Sequence, residues 1–218
     1  MEELIKKTRL YQVPPLAQPR YIVQNELEEK LKNFIHSSSN LVLEIGCGVG
    51  LHPLMCAVNT PDKQFIAIER TKNKFEKFHR RYLTHDSPQN LFPIHADAEA
   101  VLNHYIPDES LNELYLLYPN PEKQNPARRW ICMPLFGFVL KKLKQGAQFH
   151  MVTNELSYFQ EFKEVNSKQW QLDLGFEKII SKADHPDFKP RTHFEIKYFK
   201  SGQKLYEICL IKGRDAKT

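Results

Sequence analysis

Glycine is scarce in this chain and concentrated at one place. Of 8 glycines in 218 residues, Gly46, Gly48 and Gly50 fall within five positions, directly after the apolar run Leu41-Val42-Leu43. A short apolar run that ends in clustered glycine reads as a buried strand followed by a loop. Glycine there permits positive φ, and its missing Cβ lets a ligand approach the backbone. Residues 51–58 are apolar enough to open a helix, so the N–H groups of the loop would face an anion or a carboxylate. An ordinary glycine-rich turn would look much the same, and the flanking residues must decide between the two.

Two acids favour a ligand site. Glu44 precedes the glycines, which gives E-x-G-x-G-x-G, and a second strand-like run, Phe65-Ile66-Ala67-Ile68, ends in Glu69. An acid at the end of the second strand is placed to accept hydrogen bonds from ribose hydroxyls. A nicotinamide-dinucleotide fingerprint shares that acid, but Val49-Gly50-Leu51 breaks the G-x-G-x-x-G spacing. The combination points to S-adenosyl-L-methionine, with Glu44, Gly46, Gly48, Gly50 and Glu69 as its candidate contacts.

The rest of the chain alternates as a doubly wound sheet requires. The spacing predicts helices over 26–36, 51–59, 72–83, 98–104, 134–144 and 155–168, with Gly146 closing the fifth. Strands are expected at 41–45, 64–69, 91–95, 111–118 and 149–153, and Phe176–Ile180 with Leu205–Ile211 would form an antiparallel pair at the end. The expected fold is α/β and Rossmann-like, with a mostly parallel sheet and an antiparallel C-terminal strand. Residues 1–20 are Pro-containing and aperiodic, an arm before a single domain over 21–218. Ligands of such sheets bind at the carboxyl ends of the strands. Glu44, Glu69, Asp97 and Asn120 each fall at one of those ends. Asp97 suits a hydrogen bond to an adenine amino group with Ala98 beside it, and it suits the N-cap of the helix over 98–104 equally well.

Composition removes the other classes. Hydrophobic residues at 41% and charged residues at 26% are ordinary for globular proteins, which excludes disorder, collagen and coiled coil. No apolar run reaches the ~20 residues of a membrane span, and the opening MEELIKKTRL lacks the core of a secretory signal. Cys47, Cys56, Cys132 and Cys209 form no C-x-x-C pair, and the nine histidines form no H-x-x-x-H cluster. Neither a disulfide framework nor a metal site is expected, and a reducing cytoplasm is the expected location. A net charge of +5 permits a polyanionic partner. Residues 123–144 hold Lys123, Arg128, Arg129, Lys141, Lys142 and Lys144 without an acid, and residues 70–81 hold six cations against Glu76. On the helix over 72–83, Phe75, Phe78 and Tyr82 make the core stripe, and the cations read as a solvated face. Trp130 reads as a core anchor before a base-stacking platform.

From Glu44 to Glu195 the chain resembles the bacterial tRNA (guanine-N7)-methyltransferases, which are class I S-adenosylmethionine-dependent enzymes. The resemblance is carried by Leu43-Glu44-Ile45-Gly46-x-Gly48-x-Gly50, Ile68-Glu69, Asp97-Ala98, Pro119-x-Pro121, Arg128-Arg129, Thr153 and Thr192-His193-Phe194-Glu195. It implies transfer of a methyl group to N7 of a guanosine in tRNA. It places Asn120 at the family's catalytic acid and cofactor position, and Lys123, Arg128, Arg129, Asn154, Thr192 and Glu195 around the nucleotide. Arg128 and Arg129 would hold phosphates without reading sequence. Glu195 is either the surviving acid of the site or a solvated residue opening the segment 195–199. The family pattern P-D-P-W/H stands here as Pro119-Asn120-Pro121-Glu122, and its T-D as Thr153-Asn154. Those amides keep open a different substrate for the same cofactor (another RNA base, a small molecule or a protein side chain), and a cofactor- and RNA-binding module without catalysis.

Overall fold

A computed structural model describes residues 25–217; the expected arm over 1–20 lies outside them. The order is α1 (Asn25–His36), β1 (Leu41–Ile45), α2 (Leu51–Asn59), β2 (Gln64–Glu69), α3 (Lys72–Thr84), β3 (Leu91–His95), α4 (Ala98–His104), β4 (Leu111–Leu117), α5 (Pro134–Lys142), β5 (Leu143–Thr153), α6 (Leu156–Val165), β6 (Asp173–Ile180), α7 (His193–Lys200) and β7 (Leu205–Ile211). The strands form one sheet in the order β3-β2-β1-β4-β5-β7-β6. β1 to β5 are parallel, whereas β7 runs antiparallel to both β5 and β6.

Side chains alternate across a strand; the inner strands β1 and β2 are covered on both sides, so both of their sets are apolar, whereas the edge strand β6 is largely exposed. On one face Leu43, Ile45, Ile66 and Ile68 meet Leu31 and Ile35 of α1, Val101 and Leu102 of α4, Phe136 and Val139 of α5 and Phe162 of α6. On the other face Val42, Phe65 and Ala67 pack against Leu54 and Ala57 of α2 and Phe78 of α3. Phe199 of α7 closes a third cluster with Ile180 and Leu205. Burying a side chain the size of Phe78 contributes about 2–3 kcal/mol.

β6 opens at Asp173, three residues before the expected strand, and three further departures stand out. α5 stops at Lys142 and β5 starts at once at Leu143, six residues before the expected strand. Gly146, expected as a helix terminus, lies inside that strand at φ 80°, and its N–H donates to the Lys212 carbonyl at 2.9 Å. The β4–β5 register slips there, from Leu111↔Leu143 to Glu113↔Gln148, as a bulge requires. α6 gives way after Val165 to a wider π turn over Asn166–Trp170. Asn166 spends its amide on both backbone groups of Leu172, and Trp170 Nε1 donates to the Ile131 carbonyl at 2.8 Å; these anchors outweigh continuation of the helix. Finally, residues 193–200 form a complete helix where only an unassigned segment was expected.

Candidate active site at the carboxyl edge of the sheet

The glycine loop joins β1 to α2 at the carboxyl edge. Gly46, Gly48 and Gly50 all have positive φ, at 74°, 62° and 72°. Their surroundings divide them. A Cβ on Gly46 or Gly48 would meet nothing within 4 Å, whereas one on Gly50 would stand 1.8 Å from Cδ2 of Phe78. The first two leave room for a ligand, and the third makes room for the core.

Glu69 holds the loop, and Glu44 ties the end of β1 to α2. Glu69 is 5% exposed; its Oε2 accepts from the Gly48 N–H at 2.9 Å and its Oε1 from the Thr71 N–H at 2.6 Å. A carboxylate has about four lone-pair sites, so acceptor capacity remains for hydroxyls of a ligand. Glu44 accepts from His52 Nδ1 at 2.8 Å, and His52 Nε2 lies 3.4 Å from Cys56 Sγ. Burial alone would push the His52 imidazole down, but the Glu44 carboxylate and the hydrogen bonds to Cys56 and Glu44 outweigh it and raise the pKa to about 10. The Cys47 thiol, enclosed and beside Glu44 and Glu69, is pushed well above the ordinary range and is no nucleophile.

Asp97 caps α4, its Oδ1 accepting from the Glu99 N–H at 2.9 Å, while its side chain stays 46% exposed 3.7 Å from Arg70. The capping role and an outward-facing acceptor coexist. After β4 the chain enters Pro119 through Tyr118 at φ 53°. Asn120 is exposed, and its Nδ2 donates to Glu122 Oε1 at 2.9 Å. Asn154 donates to Gln203 Oε1 at 3.1 Å, and Lys123 pairs with Glu155 at 2.9 Å.

A cavity of about 580 Å³ opens between the glycine loop, α3, the end of β4 and the start of α7. Of the residues picked from sequence, Glu44, Gly46, Gly48 and Thr192 line it. Lys74, Lys77, Arg80 and Arg81 line it too, so this face of α3 is the wall of a cavity and not merely a solvated surface. The i, i+3, i+7 recurrence of Lys74, Lys77 and Arg81 was the sequence signal for a cationic face, but nothing local told which way it turned. Arg81 Nη1 donates to the Val49 carbonyl at 2.8 Å, and its Nη2 lies 3.2 Å from His193 Nε2.

Two residues assigned to the nucleotide are enclosed. Arg129, with a side chain 11% exposed, pairs with Glu161 at 2.5 Å. Its Nε donates to the Pro121 carbonyl at 2.6 Å, and its guanidinium lies over the Tyr158 ring at 5.2 Å. It braces the Pro119–Pro121 loop, and Arg128 is the exposed member of the pair. Glu195 is 0% exposed, so it is not solvated. Thr192 Oγ1 accepts from its N–H at 3.0 Å, capping α7. Its carboxylate takes the Arg191 N–H and guanidinium, and Arg191 also bonds Glu207 at 2.9 Å. The Tyr118 hydroxyl, buried near Glu195, has its pKa pushed up by burial and by that charge. Of the other cations in 123–144, Lys142 pairs with Asp108 at 2.7 Å and Lys144 bonds Asn112 at 2.8 Å. Both are committed beside β4 and β5, away from the glycine loop.

A model of a family described as putative methyltransferase matches residues 38–208. A tRNA (guanine-N(7)-)-methyltransferase of Saccharophagus degradans is 35% identical over 181 residues, covering 81% of this chain and 77% of the relative. The chain belongs to the tRNA (guanine-N(7)-)-methyltransferase family. A second member, from Francisella philomiragia, is 29% identical over 193 residues, 85% of this chain and 80% of its own. Among solved structures, the 16S rRNA methyltransferase KamB superposes with a TM-score of 0.61 at 14% identity, over 87% of this chain and 94% of that one. The likeness establishes the methyltransferase fold. Where the resemblance leads one to expect acids, this chain has Asn120 and Asn154.

Proposed function

We propose that this chain transfers a methyl group from S-adenosyl-L-methionine to N7 of a guanosine in tRNA. The observation that carries the proposal is the similarity to tRNA (guanine-N(7)-)-methyltransferases across 81% of the chain, together with a carboxyl edge built to hold such a donor. The fit to the donor rests on the open space at Gly46 and Gly48 and on the Glu69 carboxylate that anchors the loop. When bound, the cofactor supplies an electrophilic methyl group on a sulfonium.

In the proposed reaction, Glu69 accepts hydrogen bonds from the ribose hydroxyls and Asp97 from the adenine amino group. The Gly46–Gly48 backbone and the neutralised Glu44–His52 pair shape the floor beneath. Guanine N7 presents a lone pair and carries no proton, so no residue needs to act as a base. The protein's task is to hold that lone pair in line, about 3 Å from the methyl carbon. Asn120 and Asn154 flank the base as hydrogen-bonding amides, Thr192 borders it, and Lys123 and Arg128 lie where phosphates approach.

The test is methyl transfer from labelled donor to an unmodified tRNA transcript, followed by nucleoside analysis. 7-Methylguanosine is the expected product. Label in another nucleoside, in protein or in a small molecule, or no transfer with donor and tRNA both bound, would overturn the reading.

A further inference from the structure

The cavity beside the glycine loop carries more positive charge than a methyl donor can answer. Lys74, Lys77, Arg80 and Arg81 of α3 line it, and Lys74, Lys77 and Arg80 are exposed. The acid lining the same cavity, Glu44, is buried and spent on His52. Glu76, the one acid of α3, faces Lys72 at 3.9 Å. S-Adenosylmethionine brings a single carboxylate and a cationic sulfur, so it can answer at most one or two of these cations.

Their spacing says what kind. Residues three and four apart share a helix face, and Lys74 to Arg81 spans roughly 10 Å of axis at 1.5 Å per residue. Two or three phosphates of one strand occupy about that length. The row also ends in a meaningful place: Arg81 is bonded to the Val49 carbonyl of the glycine loop and lies beside His193 at the start of α7. A backbone lying on α3 is therefore led toward the carboxyl ends of β1 and β4.

We propose that α3 is the rail for the RNA backbone, with Lys74, Lys77 and Arg80 contacting phosphates and Arg81 fixing the end of the rail to the glycine loop. The inference rests on the proposed RNA substrate and adds where the strand runs. Arg128, exposed in the turn over Pro126–Arg128, then contacts a separate part of the molecule.

The test compares two triple variants of the full chain. Lys74→Gln/Lys77→Gln/Arg80→Gln empties the rail; Lys141→Gln/Lys163→Gln/Lys168→Gln removes the same charge from α5, α6 and the turn after it, on the other face of the sheet. Binding of an unmodified tRNA transcript is measured across salt concentrations, and S-adenosylmethionine binding by calorimetry, which also reports on folding. The rail variant should bind tRNA at least tenfold more weakly at 150 mM salt. Its slope of log K against log salt should be shallower by about two, at roughly 0.7–0.9 per phosphate contact, with donor affinity unchanged. Equal losses in the two triples would mean diffuse electrostatics and overturn the rail. Loss of donor affinity in the rail variant alone would assign those cations to the cofactor and overturn it as well. If the parent chain binds tRNA and methylates it while the rail variant does both equally well, the rail fails and the proposed function stands; if the parent does neither, both fall.

Discussion

Gly50→Ala should destabilise this protein far more than the same change at Gly46 or Gly48. All three positions have φ between 62° and 74°, where an L-residue costs about 1–2 kcal/mol. At Gly46 and Gly48 that is the whole charge, because the new methyl enters open space. At Gly50 the methyl would stand 1.8 Å and 2.3 Å from Cδ2 and Cε2 of Phe78. Phe78 is 0% exposed and packed in the core with Leu54, Ala57, Phe65 and Ala67. Forcing an extra methyl into such a core adds about 1–3 kcal/mol, for a total of roughly 2–5 kcal/mol. A typical domain holds only about 5–15 kcal/mol. Urea unfolding of the three single variants reads the difference directly: with a slope near 2 kcal/mol per molar, the Gly50→Ala midpoint should fall by about 1–2.5 M. Phe78→Leu added to Gly50→Ala should couple favourably with it, so that the pair costs less than the two single losses combined. Affinity for S-adenosylmethionine should be lowered at Gly46→Ala and Gly48→Ala out of proportion to their small stability loss. Equal midpoints across the three variants would refute the division of the loop into ligand-facing and core-facing glycines.

Glu69→Ala should weaken S-adenosylmethionine binding by about 1.5–3 kcal/mol and lower the unfolding midpoint, since the N–H groups of Gly48 and Thr71 lose their acceptor. Calorimetry showing unchanged affinity in a folded variant would remove Glu69 from the site. Stability should peak near neutral pH. Burial, aided by the Arg191 and His52 charges, lowers His150 to about 4 against the opposing Glu113 and Glu207, so stability falls between pH 6.5 and 4 as the unfolded chain takes up the proton. His52, raised to about 10, contributes fully below pH 6.5 and loses that contribution by pH 10. Urea midpoints across pH 4–10 test both limbs, and His150→Gln should flatten the acid limb alone; an unchanged acid limb in that variant would refute the assignment. Asn120→Asp combined with Asn154→Asp should raise methyl transfer to guanosine, where a tenfold gain needs about 1.4 kcal/mol. Loss of all transfer by the double variant, with donor binding intact, would exclude guanine N7.

The sheet was legible because its strands are short apolar runs bounded by glycine, proline and acids. β1 to β3 and the helices between them end within a residue of expectation for that reason. Nothing in the sequence separates α5 from β5: the helix passes from Lys142 into Leu143 without a breaker, and Gly146 sits at a bulge that imitates a helix stop. The cap and the third residue of α7, Thr192 and Glu195, carry a family resemblance that points to ligand contacts, although S/T-x-x-E is also a helix-start signal. The glycine loop was visible, but the direction taken by the α3 cations was not, since it depends on Phe78 packing under Gly50. The commitment of Arg129 to Glu161 depends on α6, more than 30 residues away in sequence, and no local pattern announces it.

The Arg191 bridge between Glu195 and Glu207 bears on how this protein can diverge. Removing one partner from a buried charged set costs about 3–5 kcal/mol, a large share of a domain's stability. Truncating Arg191 alone would leave Glu195 and Glu207, which are 0% and 6% exposed, without their shared cation. Each first step away from the triad is steep, whereas exposed Asn120 can be exchanged at little cost to the fold. Descendants of such a chain are therefore expected to keep Arg-Thr-x-Phe-Glu long after the residues around the base have drifted. In this molecule that signature is a record of ancestry before it is a sign of what is methylated.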